Sequence, residues 1–154
     1  TIRCTRSAAV LFRRNTGSVR GHIINIGSLA AKSAARYVGA YPVSKFAVAA
    51  YSQQLRLELE PEGIYTLLVC PGPVKRDDER LYPLEGLEDI PESARKPGAG
   101  VKTERIDPLR LADKILRYAE RRKAELVVPG KARLLFALSQ LFPKLGDWIV
   151  KKET

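Results

Sequence analysis

The apolar positions change period along the chain, and each change predicts an element. Residues 2–14 read as a helix, with Ile2, Ala9, Val10 and Phe12 among Arg3, Arg6, Arg13 and Arg14, broken by Asn15-Thr16-Gly17-Ser18. His22-Ile23-Ile24-Asn25-Ile26 is short and β-branched, and predicts a strand. After a loop from Gly27 to Ala40, Val43, Ala47, Ala50, Tyr51 and Leu55 recur at helical spacing over about 41–60. Pro42 falls in that helix's first turn, where a missing N–H costs nothing, and Pro61-Glu62-Gly63 ends it. Tyr65-Thr66-Leu67-Leu68-Val69-Cys70 is a continuous apolar run, the pattern of a strand buried on both faces.

The pattern fades beyond Pro71-Gly72-Pro73. Residues 75–105 are rich in charge, Pro and Gly and read as a long loop or lid. Asp107-Pro108 then supplies an N-cap and a first-turn proline. Ala112, Ile115, Leu116 and Ala119 form one apolar face of a helix ending near Lys123. Glu125-Leu126-Val127-Val128 predicts a third strand, closed by Pro129-Gly130, and 131–152 reads as helical with a break at Pro143. Strands alternating with helices imply an α/β class with right-handed crossovers and a parallel sheet covered on both faces. Three strands make a small sheet whose first edge is apolar and unpaired, so it reads as part of a larger one.

Composition narrows the function classes. Twenty-seven basic and seventeen acidic residues give +10. The basic residues are dispersed, the densest run being Arg121-Arg122-Lys123, with neither zinc-finger spacing nor aromatics interleaved with Arg. This predicts a solvated surface and no nucleic-acid partner. Cys4 and Cys70 stand far apart in apolar company, and read as buried free thiols of a reducing, cytoplasmic compartment. No apolar run approaches the ~18–20 residues needed to span a bilayer, and Thr1–Arg6 shows no signal-peptide pattern. The chain contains no Met, so it is expected either to have lost its initiator or to begin partway through a longer reading frame.

Candidate chemistry begins at Tyr41-x-x-x-Lys45, a phenol and an ammonium one helical turn apart. That pair alone arises readily by chance. A serine, Ser28, thirteen residues before the Tyr and just past a predicted strand end makes the combination specific, because ligands of open α/β sheets bind at that edge. Pro71-Gly72-Pro73-Val74 ends the next strand at the same edge. Taken singly, each residue has a plain structural role: Ser28 as a turn hydroxyl, Tyr41 as a helix-start aromatic, Lys45 as a solvated neighbour. Tyr37 has Tyr41, not Lys, four positions on and reads at most as pocket lining, and His22 reads as structural. Asp77, Asp78 and Glu79 lack a convergent partner and read as solvated, so no metal is expected.

In order and spacing, the run His22–Ser28, then Tyr41-Pro42-Val43-Ser44-Lys45, then Val69–Val74 resembles the catalytic half of the short-chain dehydrogenases/reductases. The resemblance covers roughly residues 1–130 and implies a Rossmann-like doubly wound sheet that binds NAD or NADP. It implies that Ser28 bonds the substrate carbonyl, Tyr41 gives or takes the proton, and Lys45 holds the ribose. Pro71, Gly72 and the Val74 backbone would meet the nicotinamide. A carbonyl or secondary alcohol would be the substrate. A phenol is ordinarily a weak base, ionising near ~10, and a neighbouring ammonium favours its anion. The family's Gly-rich pyrophosphate turn is not in this sequence; Gly98-Ala99-Gly100 follows no strand. Arg76 stands where many members carry a Thr and could meet a phosphate instead. The alternative is a truncated chain, not catalytic alone, that serves as a folding or oligomerisation fragment. An intact parent is expected to be a homodimer or homotetramer paired through helices 2–14 and 41–60, with Phe46 and Val48 as outer contacts.

Residues 131–154 form a separate tail in this reading. Leu134, Leu135, Leu138, Leu141, Phe142, Leu145, Trp148 and Ile149 fall on one side, and Lys131, Arg133, Gln140, Lys144, Lys151 and Lys152 fill much of the rest. That pattern suits peripheral membrane contact. It also suits a face packed over the substrate pocket or a subunit boundary, which is the preferred expectation.

Overall fold

The structure, a computed structural model, describes residues 1–76 and 104–153. Helix α1 (Ile2–Phe12) leads into β1 (Gly21–Ile26), a 3-10 turn (Leu29–Ala31) and the long α2 (Ala40–Leu59). A second 3-10 turn (Glu60–Glu62) precedes β2 (Ile64–Pro71). Then come α3 (Pro108–Glu120), β3 (Glu125–Val128), α4 (Ala132–Leu141) and α5 (Pro143–Glu153). Most of the expected lid, with Asp77, Asp78, Glu79 and Gly98-Ala99-Gly100, lies outside the described residues.

The sheet has the order β1-β2-β3 and is parallel throughout, with Ile26 opposite Val69 and Pro71 opposite Val128. Central β2 explains its unbroken apolar run. Ile64, Leu68 and Cys70 face one side and Leu67 and Val69 the other, so alternation leaves no polar face. On the first side, Ala9 of α1 and Leu55 and Leu59 of α2 cover Ile23 and Ile64. Farther along that side, Val48 and Ala49 of α2 and Ala132 and Phe136 of α4 close over Leu68, Cys70 and Val127. On the second side, Ala119 of α3, with Leu111, Ile115 and Tyr118, packs on Leu67, Val69 and Leu126.

Local chemistry fixes the ends. Asp107 caps α3, its Oδ1 accepting from the Arg110 N–H at 2.9 Å. Gly63 sits at φ 77°, and a Cβ there would lie 2.8 Å from the Ser18 carbonyl oxygen, so the turn into β2 requires glycine. Arg13 grips Glu62 with two bonds, 2.6 and 2.8 Å, tying the end of α1 to that turn. The hydrogen bond from Arg13 holds the Glu62 carboxyl below the usual range.

Three expectations are corrected. Cys4 is exposed, because α1 turns the stripe Thr5, Ala9 and Phe12 to the body; Cys70 is buried as expected. Val48 is not an outer contact but packs against the Leu68–Cys70–Val127 cluster, whereas Phe46 is 39% exposed. On α3 the inward face is Leu111, Ile115, Tyr118 and Ala119, which turns Ala112 and Leu116 outward.

Candidate active site

Helix α2 sets the site by the phase of one stripe. Val48, Ser52, Leu55 and Leu59 recur every three or four residues against the sheet. Lys45 and Tyr41 continue the stripe toward the helix N-terminus, past the last residues of β1. The expected stripe was different: Val43 is 71% exposed, and Ala47 and Ala50 are exposed with it. The buried phase carries a serine. Ser52 Oγ donates to the Val48 carbonyl at 2.7 Å and accepts from Asn25 Nδ2 at 2.9 Å. With Ser52 1% and Asn25 5% exposed, this bond fixes how α2 is turned on β1.

Two turns toward the N-terminus, Lys45 Nζ donates to the carbonyl of Ile26, the last residue of β1, at 3.4 Å. The same ammonium lies 5.6 Å from the centroid of the Tyr41 ring. Tyr41 is 48% exposed and Lys45 half-buried, so the phenol is open to a ligand while the ammonium is anchored. Ser28 follows β1 by two residues. Its Oγ accepts from the Ala30 N–H at 3.2 Å, starting the 3-10 turn that packs against α2. The hydroxyl therefore does act as a turn cap, and its own proton stays free to donate to a ligand. Gly27 makes the close approach possible. Its N–H reaches the Val69 carbonyl at 2.7 Å, and a Cβ would sit 3.1 Å from that same oxygen.

Pro71 ends β2 beside this turn. The Gly72 N–H bonds the Val128 carbonyl at 2.8 Å, drawing the strand's exit toward β3. Val74 forms a lone parallel bridge with Ile106, made by the Ile106 N–H to the Pro73 carbonyl and the Lys75 N–H to the Ile106 carbonyl, both 2.8 Å. A parallel bridge of this kind turns Val74's own N–H and C=O away from Ile106. Neither has a backbone partner among the described residues. Ser28, Tyr41, Lys45 and the Pro71–Val74 turn thus all stand at the carboxyl ends of β1 and β2, the edge where open α/β sheets bind ligands.

Other singled-out residues stand apart. Tyr37 adopts φ 62°, unusual without glycine, and is half exposed beneath the Arg36 guanidinium, 5.1 Å from its ring centroid. His22 lies at the opposite end of β1, stacked on Tyr65 with centroids 5.7 Å apart, a structural place. Arg76 is exposed. Sequence reasoning missed Asn25 and Ser52. A polar residue in each of two elements read as apolar was the available signal.

Comparison with known proteins identifies the family and the fold. Residues 1–80 match the family model described as short chain dehydrogenase. The chain is 34% identical over 131 residues to the "Probable short-chain type dehydrogenase/reductase VdlC" of Helicobacter pylori, covering 79% of this chain and 48% of that protein. The chain thus spans about half the length of this relative. A short-chain dehydrogenase from Streptomyces avermitilis superposes with a TM-score of 0.66 at 24% identity, over 96% of this chain and 56% of that one. Another, from Burkholderia cenocepacia in complex with NADP, gives 0.64 at 20% identity, over 91% and 49%. The fold is Rossmann-like, and the chain belongs to the short-chain dehydrogenase family.

Proposed function

We propose that the protein is an oxidoreductase that moves a hydride between NAD or NADP and a carbonyl or secondary-alcohol substrate, with Tyr41 as general acid/base. The observation that carries this reading is the Lys45 ammonium, held on the last carbonyl of β1 and 5.6 Å from the Tyr41 ring, beside the Ser28 turn. The residues present fit the nicotinamide and ribose end of such a cofactor. Val74 offers a donor and an acceptor side by side that have no backbone partner among the described residues, the complement of a carboxamide. Pro71 and Gly72 shape that exit, and Lys45 has donors for ribose hydroxyls. When bound, the nicotinamide supplies or accepts the hydride.

The chain's own side chains do the rest. Ser28 donates a hydrogen bond to the substrate oxygen, where negative charge develops during reduction. The Tyr41 hydroxyl gives its proton to that oxygen, or takes it back in the oxidative direction. Lys45 places a positive charge 5.6 Å from the centre of the phenol ring. Residues 1–130 form the catalytic half in this reading, and 131–154 a tail outside it. Self-association through α1 and α2 is part of the proposal. Val10, Leu11, Val43 and Phe46, between 39% and 71% exposed, support it.

Tyr41→Phe tests the assignment in the protein that carries these residues. Turnover with NADH or NADPH and a panel of ketones and aldehydes should fall at least ~100-fold, the usual worth of a general acid. Cofactor binding, followed by nicotinamide fluorescence, should persist. Unchanged turnover would overturn the role of Tyr41.

A further inference from the structure

The last two helices leave a face uncovered. Helix α4 docks through Ala132 and Phe136 onto the Val127 cluster, at the sheet edge far from β1. Leu134 and Leu138 are each two residues, about 200° of helix, from those anchors and point away from the body. Leu134 is 69% exposed, Leu141 72%, Phe142 58% and Trp148 59%. Pro143 starts α5, which folds back on α4 so closely that a Cβ on Gly146 would lie 2.8 Å from Ser139 Cβ. The result is a helical hairpin with apolar side chains outward. Neither helix is long enough to cross a bilayer, and among the described residues no helix meets that requirement.

Charge identifies the occupant. Residues 131–154 carry Lys131, Arg133, Lys144, Lys151 and Lys152 against Asp147 and Glu153, within a chain of net charge +10. A second copy of so basic a surface would be repelled, whereas an anionic surface would be attracted. Lys152 Nζ lies 5.4 Å from the Trp148 ring centroid, and Lys144 is one turn the other way. On α5 the Trp148 ring is thus flanked by cations, whose long aliphatic stems let the ammonium groups reach the headgroup level while the ring lies deeper. We propose that α4 and α5 dock the protein on an anionic lipid bilayer, with Leu134, Leu141, Phe142 and Trp148 entering the headgroup–acyl boundary. The proposal stands independently of the oxidoreductase reading.

Trp148 is the chain's only tryptophan, so its emission reports the tail alone. With vesicles of phosphatidylcholine containing about 30 mol% phosphatidylserine, emission should shift to the blue and the protein should float with the lipid. Partitioning should be at least ~10-fold weaker on pure phosphatidylcholine or when salt rises to ~0.5 M. Leu134→Ser with Leu141→Ser, both on exposed positions, should remove the shift while far-UV circular dichroism stays unchanged. Lys151→Glu with Lys152→Glu should weaken binding at least ~10-fold. No flotation with the anionic vesicles at low salt would overturn the proposal. So would a lipid-independent blue shift that grows with protein concentration alongside a dimer in sedimentation equilibrium, which would assign the face to a second copy.

Discussion

Removing the Ser52 hydroxyl should expose how much of α2's placement rests on one buried bond. Ser52→Ala deletes the acceptor of the Asn25 amide, 2.9 Å away, and leaves a donor stranded on a residue 5% exposed. An orphaned buried donor costs about 1–3 kcal/mol. Alanine's better helix propensity returns roughly 0.5 kcal/mol, so the net loss is about 0.5–2.5 kcal/mol. Asn25→Ala is different in kind, because Ser52 Oγ still donates to the Val48 carbonyl at 2.7 Å and no donor is orphaned. Hence Ser52→Ala should cost close to nothing once Asn25 is already Ala, and the two losses should not add. Urea unfolding of the four chains, followed by far-UV circular dichroism at constant m, reads this directly. If the double mutant's loss equals the sum of the single losses within ~0.5 kcal/mol, the bond does not couple α2 to β1.

Three further outcomes follow from buried groups on β2. Thr66 is 3% exposed and its Oγ1 has no partner among the described residues, so Thr66→Val should stabilise by about 1 kcal/mol and raise Tm by roughly 2–4 °C; a lower Tm would contradict this. Burial first, then the Glu125 carboxylate, push the Cys70 thiol up to about 11. The native chain thus keeps a proton that the unfolded chain loses above its ordinary value of 9.0, and stability should decline as pH rises from there toward 11. Near neutral pH, Ellman's reagent should titrate Cys4 alone in the native chain and both thiols in denaturant, and rapid release of two would refute the burial.

The central strand was legible because burial on both faces leaves only one pattern, an unbroken apolar run. Ser28, Tyr41 and Lys45 were legible because their spacing is set by a strand end and a helical turn, both of which have fixed geometry. The orientation of α2 was not. Its buried stripe includes Lys45 and Ser52, which carry no hydrophobic signal, while the alanines at 47 and 50 suit either face. Cys4 was misplaced for a related reason: its apolar neighbours mark a helix, but the packed body decides which side of a short helix is covered. The turn-cap role of Ser28 is seen, and because it uses only the oxygen as acceptor it is compatible with the proposed contact to a ligand.

The stripe on α2 also makes length matter more than identity. Lys45 and Ser52 are seven residues apart, about 700° of rotation and so within ~20° of two full turns. Adding one residue between them would leave an intact helix, with Ser52, Leu55 and Leu59 still in their places. It would also swing Tyr41 and Lys45 by about 100° and carry them ~1.5 Å farther along the axis. Such a chain would be well folded with its phenol facing the wrong way. This segment is therefore constrained in frame: a change of length is tolerated in the loop ahead of Ala40, where it leaves the phase between Lys45 and Ser52 intact, and not between those two residues.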